Sequence, residues 1–297
     1  MLVYNPCNLC PRECDVDRTK ELGFCKCTDT VKIARAALHF WEEPLLSGTR
    51  GSGTVFFSGC TMKCCFCQNY KISTGGFGKE ISIERLADIF LELQEKGAHN
   101  INLVTPTQYL PSVLKALDLA KPKLNIPVVY NCGGYEKPEI IRELKGYVDI
   151  FLPDFKYKGN ELSFKYSKAK DYFEVAKIAI SEMIKLTDGI EIDKDGIMQK
   201  GVIIRHLVLP GSRKDSFEIL NWIAQNLPKD KYLLSLMSQY TPPYENKEYK
   251  ELNHRITTLE YDSVIKEAIR LGLTGGFMQE KSSAKEEYTP PFDLEGV

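Results

Sequence analysis

From residue 54 onward the chain alternates short apolar runs with segments of helical spacing, six times over. Runs at 54–58, 100–104, 127–130, 148–152, 202–209 and 232–237 read as strands, and 83–96, 110–121, 138–144, 172–186, 217–226 and 261–271 read as helices. Parallel neighbours cannot be joined by a tight turn, so this rhythm requires a mainly parallel sheet with right-handed helical crossovers. The fold class expected is therefore α/β, in the form of a barrel or partial barrel. Six units fall short of the eight that close a (β/α)8 barrel, which leaves a partial (β/α)6 barrel with a lateral cleft beside the C-terminal ends of its strands. Ahead of it, 30–41 reads as an extended segment leading to a Gly-rich turn at 47–53. The stretch 188–201 reads as a surface hairpin, and the Lys, Glu, Ser and Pro after 280 as a loose wrap or frayed end. The domain plan is a small cysteine-rich, metal-binding extension at 1–50, the barrel at 51–280 and a tail at 281–297.

Thirty-nine Lys and Arg against 40 Asp and Glu leave a net charge of −1, so no overall basic field invites nucleic acid or anionic lipid. No apolar run approaches the roughly 20 residues of a membrane span. The opening Met-Leu-Val-Tyr-Asn-Pro-Cys lacks a basic start, an apolar stretch and a small-residue cleavage site, which predicts a cytoplasmic protein. Its ten cysteines are grouped: Cys7, Cys10, Cys14, Cys25 and Cys27; then Cys60, Cys64, Cys65 and Cys67; with Cys132 alone. Close spacing in a chain of this length favours thiolates converging on metal over disulfides.

The first strand runs into Ser58-Gly-Cys-Thr-Met-Lys-Cys-Cys-Phe-Cys-Gln-Asn-Tyr, which sets Cys60, Cys64 and Cys67 at C-x3-C-x2-C on one loop. Four thiolates would close a 4Fe-4S cube; three leave one iron with an open position. A zinc knuckle using Cys65 or a remote thiol as fourth ligand is the bland alternative. With Phe66 just before the third cysteine, the loop resembles that of the radical S-adenosylmethionine (SAM) superfamily. The resemblance implies that the open iron binds SAM's amino and carboxylate groups, and that reductive cleavage yields a 5'-deoxyadenosyl radical which takes hydrogen from a substrate. It also implies a reductant such as flavodoxin or ferredoxin.

Further words extend the likeness over nearly the whole chain: Cys7-Asn-Leu-Cys-Pro-Arg-Glu-Cys, Asn100-Ile-Asn-Leu-Val-Thr-Pro-Thr, Leu152-Pro-Asp-Phe-Lys-Tyr and Arg205-His-Leu-Val-Leu-Pro-Gly. Taken together they are most similar to homologues of pyruvate formate-lyase activating enzyme, in the PflX-type branch. Where the activating enzymes carry Gly-Gly-Glu to hold the SAM ammonium, this chain reads Thr105-Pro-Thr107, so the ammonium falls to Thr105 and Thr107 hydroxyls, backbone carbonyls or another acid. The next strand ends in Asn131-Cys-Gly-Gly-Tyr where those enzymes have Asp-Thr-Asn-Gly, so an acid has become an amide. Asp154 and Lys156 match an Asp-x-Lys word that reaches SAM, and Lys156 can pair with its carboxylate. Arg205 matches an Arg that meets SAM; the same residues could merely cap a helix or pair on a surface. Strand alternation sends His206 to the face opposite Arg205. His39, His99 and His254 read as surface or packing residues, Cys65 as packing, and Cys132 as packing or substrate-adjacent.

Cys7, Cys10, Cys14 and Cys25 can close a second four-thiolate site, zinc or 4Fe-4S, with Cys27 spare. Spacing does not choose between a structural staple and an electron wire. Three functions follow: a radical SAM enzyme that makes a glycyl radical in a partner enzyme, a radical SAM enzyme acting on a small metabolite or peptide, or a non-enzymatic zinc-binding interaction module.

Overall fold

The computed structural model describes residues 2–279 and 289–297. In chain order its elements are β1 (Val31–His39), α1 (Pro44–Ser47), β2 (Ser52–Phe57), α2 (Tyr70–Ser73), β3 (Lys79–Ile81), α3 (Ile83–Glu95), β4 (Ile101–Val104), α4 (Leu110–Ala120), β5 (Val128–Cys132) and α5 (Pro138–Glu143). There follow β6 (Ile150–Pro153), α6 (Asn160–Ser167), α7 (Tyr172–Thr187), β7 (Glu191–Ile192), β8 (Met198–Leu207), α8 (Arg213–Asn226), β9 (Leu233–Met237), α9 (Thr258–Arg270) and β10 (Gly276–Met278). The six strand–helix pairs expected from the periodicity are all present, with α6 inserted after β6 and β10 added as a further parallel strand. Neither addition has a strong sequence signal: α6 mixes apolar and polar residues around its circumference, and β10 is three residues beginning at a glycine.

Helix boundaries follow local chemistry. Ser82 caps α3 by accepting the Arg85 N–H at 3.1 Å, and Thr257 with Glu260 forms a reciprocal capping box at α9. Leu86, Ile89, Phe90 and Leu93 make one stripe of α3 and pack on Ile101 and Leu103, the alternate residues of β4. Asn102 and Val104 point to the other face. β4 thus divides its side chains between a helix-covered apolar layer and a second layer that is partly polar.

The sheet is mixed, with strand order β10-β9-β8-β6-β5-β4-β2-β1-β3. Pairs from β2 to β10 along this order are parallel, whereas β1 is antiparallel to both β2 and β3. The extended segment expected at 30–41 is therefore β1, and the hairpin expected at 188–201 is β7 against the start of β8. The turn expected at 47–53 ends sooner: Ser52 and Gly53 already belong to β2. A Cβ on Gly53 would come within 2.8 Å of the Asn100 carbonyl oxygen, so glycine permits the close approach of these strands.

Residues 280–288 of the expected tail lie outside the described residues. Residues 289–297 run along β1, where Leu294 N–H donates to Ala34 O (3.1 Å) and Ala36 N–H to Glu295 O (2.8 Å). Arg35 pairs there with Asp293 and Glu295.

Candidate active site

Cys60, Cys64 and Cys67 lie on the loop that follows β2 and line a cavity of about 220 Å³. Gly59 opens the loop at φ 81°, and a Cβ there would overlap the Cys27 sulfur. Each of the three sulfurs accepts a hydrogen bond: Cys60 Sγ from Met62 N–H (3.3 Å), Cys64 Sγ from Ser167 Oγ (3.0 Å) and Cys67 Sγ from Ser73 Oγ (3.3 Å). Burial pushes the Cys60 thiol up to about 12 and raises Cys67 as well, with the neighbouring Cys64 adding to both. Bare, these thiols are protonated near neutrality; a metal must displace the protons. Three soft donors on one cavity wall, with donors directed at their sulfurs, fit an iron-sulfur cube with one free corner. Cys65 is not on that wall. Its N–H donates to Tyr166 O (2.8 Å), its carbonyl accepts from Tyr244, and burial raises its thiol to about 11. Phe66 is buried edge-on against Tyr166 and Tyr240, with part of its ring on the cavity.

Opposite the thiols stands a charged cluster made by strand register. Asn131 on β5, Asp154 just past β6 and Arg205 on β8 meet near the C-terminal ends of adjacent strands: Asp154 bridges to Arg205, and Asn131 pairs with Leu152, two residues before Asp154. Arg205 Nε donates to Asp154 Oδ1 (2.9 Å) and its NH2 to Asn131 Oδ1 (2.6 Å). Lys156 Nζ donates to the other Asp154 oxygen at 2.5 Å. Burial alone would push the Asp154 carboxyl up, but Arg205 and Lys156 together hold it below its ordinary value. Lys156 is raised: burial opposes its charge, and Asp154 and Cys64 outweigh that. All four residues line the thiol cavity.

Thr105 lines it too, held at φ 57° with its N–H on Asn131 O (2.8 Å). Thr107, expected beside SAM, is turned away. Pro106 starts a 3-10 turn that buries the Thr107 hydroxyl against Tyr130 OH and Glu136 Oε1, both at 2.9 Å, and it is not among the lining residues. Burial lifts Glu136 to about 8. His206 occupies the opposite face from Arg205, with its ring nitrogens on Phe155 O (2.7 Å) and Ser216 Oγ (2.9 Å). His39 packs edge-on against Phe56 and reaches the cavity, where burial lowers it to about 4; buried Cys132 also lines it. His99 pairs with Arg50, and His254 is exposed.

The residue that sequence reasoning missed is Glu42. It follows β1, enters the cavity and meets Arg205 NH1 and Asn131 Nδ2, each at 3.4 Å. Burial raises its carboxyl, with Arg205 opposing. Its only sequence signal is an acid pair, Glu42-Glu43, ahead of Pro44, which also reads as ordinary first-turn chemistry of a helix.

The N-terminal cysteines gather separately. A Cβ on Gly23 would lie 3.5 Å from Cys14 Sγ and 3.8 Å from Cys25 Sγ, and Phe24 N–H donates to Cys14 Sγ (3.3 Å). Cys10 is pushed up to about 12 by burial, with Cys25 and Cys14 contributing. Arg18, 1% exposed, reaches Cys7 Sγ (3.8 Å), Cys27 O (3.1 Å) and Gln108 O (2.5 Å). Gln108 in turn donates to Ser58 O and Gly59 O, and Arg12 Nε donates to Thr61 O at 2.8 Å. The segment is thereby fastened to the loop carrying Cys60. Among the described residues, no three His, Cys, Asp or Glu side chains converge as a single-ion site requires.

Residues 54–218 match the family described as the Radical SAM superfamily. The chain is 34% identical over 281 residues to the uncharacterized protein MJ0674 of Methanocaldococcus jannaschii, covering 91% of this chain and 76% of that one. Two solved structures of SuiB from Streptococcus suis are also similar. The one bound to precursor peptide SuiA gives a TM-score of 0.49 at 14% identity, over 74% of this chain and 46% of that one. The one bound to S-adenosylmethionine gives 0.48 at 13%, over 74% and 48%, so this chain spans about half the length of SuiB.

Proposed function

Because the chain belongs to the radical SAM superfamily, we propose that Cys60, Cys64 and Cys67 hold its 4Fe-4S cluster and that the cavity they line receives SAM. The observation that carries this is the single cavity shared by the three thiols, Lys156, Asp154, Arg205 and Asn131. Together the cluster and SAM supply a 5'-deoxyadenosyl radical, formed by one-electron cleavage of the sulfonium, which removes hydrogen from a substrate. The protein's own part is to bind and orient. Lys156, released from Asp154, pairs with the SAM carboxylate; Arg205 holds Asp154 and Asn131 in place; and Thr105 faces the same space. Glu42 is the acid that replaces the absent Gly-Gly-Glu carboxylate opposite the SAM ammonium. Phe66 supplies an apolar wall.

Cys7, Cys10, Cys14 and Cys25 are proposed as the donors of a second metal site, zinc or 4Fe-4S, although among the described residues no three of them converge as a single ion requires; the attachment through Arg18 and Arg12 to the Cys60 loop suits either a staple or an electron path from a flavodoxin or ferredoxin. The partial-barrel reading is supported by cavity walls drawn from both ends of the strand order. Two substrates suit this class, a glycine of a partner enzyme in the activase-like, PflX-type reading, and a small metabolite or peptide. The second is favoured by a further cavity, lined by Glu42 and Glu43, beside the SAM cavity. The zinc-module reading has no observation in its support. Anaerobic reconstitution with iron and sulfide, followed by reductant and SAM, should yield 5'-deoxyadenosine; a properly formed cluster without that product would overturn the proposal. Deuterium transfer into 5'-deoxyadenosine from labelled peptide or metabolite distinguishes the substrates.

A further inference from the structure

A second cavity, of about 680 Å³, is walled by residues that follow β1 and by residues of β9 and β10, which belong to opposite ends of the sheet. It adjoins the thiol cavity, since Glu42, Arg205, Met237 and Gln239 line both. Glu43 lies in its wall, only 8% exposed. Ser235 hydrogen-bonds this carboxyl, yet among the described residues Glu43 Oε2 meets no donor. An acceptor buried without a partner is costly, and more so when it is charged, so proteins rarely keep one without a use.

The nearby cations are already committed. Arg205 directs its three nitrogens at Asp154, Asn131 and Glu42, and Lys156 pairs with Asp154. Among the described residues, Glu42, Glu43 and Asp154 share Arg205 and Lys156 across the two cavities, three acids to two cations. Burial raises the Glu43 carboxyl and Arg205 opposes it; a cation bound beside it favours its charged form. Phe40 and Phe277 add aromatic faces to the same wall, surfaces that attract cations as well as hydrocarbon.

We propose that this cavity is the substrate compartment and that the substrate carries a cationic amine, ammonium or amidinium, which pairs with Glu43 while its apolar part lies against Phe40 and Phe277. A turn of the Glu43 side chain brings Oε2 from the wall to the ligand. The shared wall at Arg205 and Met237 then sets a C–H of the bound molecule next to the SAM cavity. This assignment rests on the radical SAM reading for what happens to the substrate, and on Glu43 alone for its binding.

The full-length reconstituted protein is titrated calorimetrically near pH 7.5 with Nα-acetyl-lysine amide and agmatine, both cationic there, and with the neutral Nα-acetyl-norleucine amide. The cationic probes should bind about tenfold or more tighter than the neutral one, and Glu43→Gln should erase that preference. Glu43→Asp, which keeps the charge and guards against misfolding of the first variant, should weaken the probes yet retain the preference. Equal affinity for charged and neutral probes, no binding by either cation, or a preference that survives Glu43→Gln in a folded protein would overturn the assignment. SAM cleavage is followed in the same samples. Cleavage without cation preference sinks the amine assignment alone, and cation preference without cleavage sinks the radical SAM reading alone.

Discussion

The two cysteine groups use the same side chain in different settings. Cys60, Cys64 and Cys67 sit where a parallel strand ends, facing a cavity whose far wall holds Asp154, Lys156 and Arg205. Cys7, Cys10, Cys14 and Cys25 sit on a segment that, among the described residues, has no regular strand or helix before Val31, with Cys7 and Cys25 beside the buried Arg18. What differs is what stands opposite the sulfur. Charged groups across a void can bind a polar cofactor, whereas backbone carbonyls tied up by Arg18 can only hold a segment in place. The contrast teaches that cysteine spacing proposes a metal, while the neighbours decide whether that metal has anything to act on.

The sharpest break of this contrast comes from single replacements. Cys60→Ala, Cys64→Ala or Cys67→Ala should abolish 5'-deoxyadenosine formation, while Cys10→Ala or Cys14→Ala should leave the SAM-sensitive cluster signal in the electron paramagnetic resonance spectrum. Cys65→Ala should change the rate by no more than about twofold, since its thiol lies off the cavity wall. Loss of that signal with Cys10→Ala would make the two sites one functional unit. The charged wall comes next: Lys156→Met or Asp154→Asn should raise the dissociation constant for SAM about ten- to a hundredfold, read by equilibrium dialysis on protein with full iron content.

Arg18→Met tests the other side of the contrast. It leaves several buried carbonyls without donors, so about 3 kcal/mol or more of stability should be lost in urea unfolding, the N-terminal segment loosening first. A loss under about 1 kcal/mol would show that the segment is held by other means. The smallest effect concerns Glu136, which is off the thiol cavity but close enough to Cys10 to help raise its thiol. The unfolded chain releases its proton near the ordinary value of 4.5, whereas the folded chain keeps it to about 8. Its contribution to stability is therefore complete below 4.5 and is lost as pH rises to about 8. Melting temperatures measured from pH 5 to pH 8 should decline, and Glu136→Gln should flatten the decline.

Much of this was legible because it is periodic or local. Six strand–helix pairs show as apolar spacing, and the Cys60 loop as a short word after a strand. The charged wall was partly legible, since Asn131, Asp154 and Arg205 each lie near the end of a strand, although only the pairing of β5, β6 and β8 brings them together. Glu42 was not, because an acid pair before a proline also suits the start of a helix, and its role depends on a long-range approach to Arg205. Thr107 misled for the converse reason. Its position in the word suggested the cavity, but the turn begun at Pro106 rotates its hydroxyl toward a buried glutamate.

Pro290 forms part of the thiol cavity, Phe292 lies edge-on against Phe56 of the same wall, and Lys71 donates to the Phe292 carbonyl at 2.6 Å. This stretch of sequence is thus masonry for the cavity proposed to receive SAM. An affinity tag or a trimming cut placed there would show itself in cofactor affinity before it showed itself in solubility.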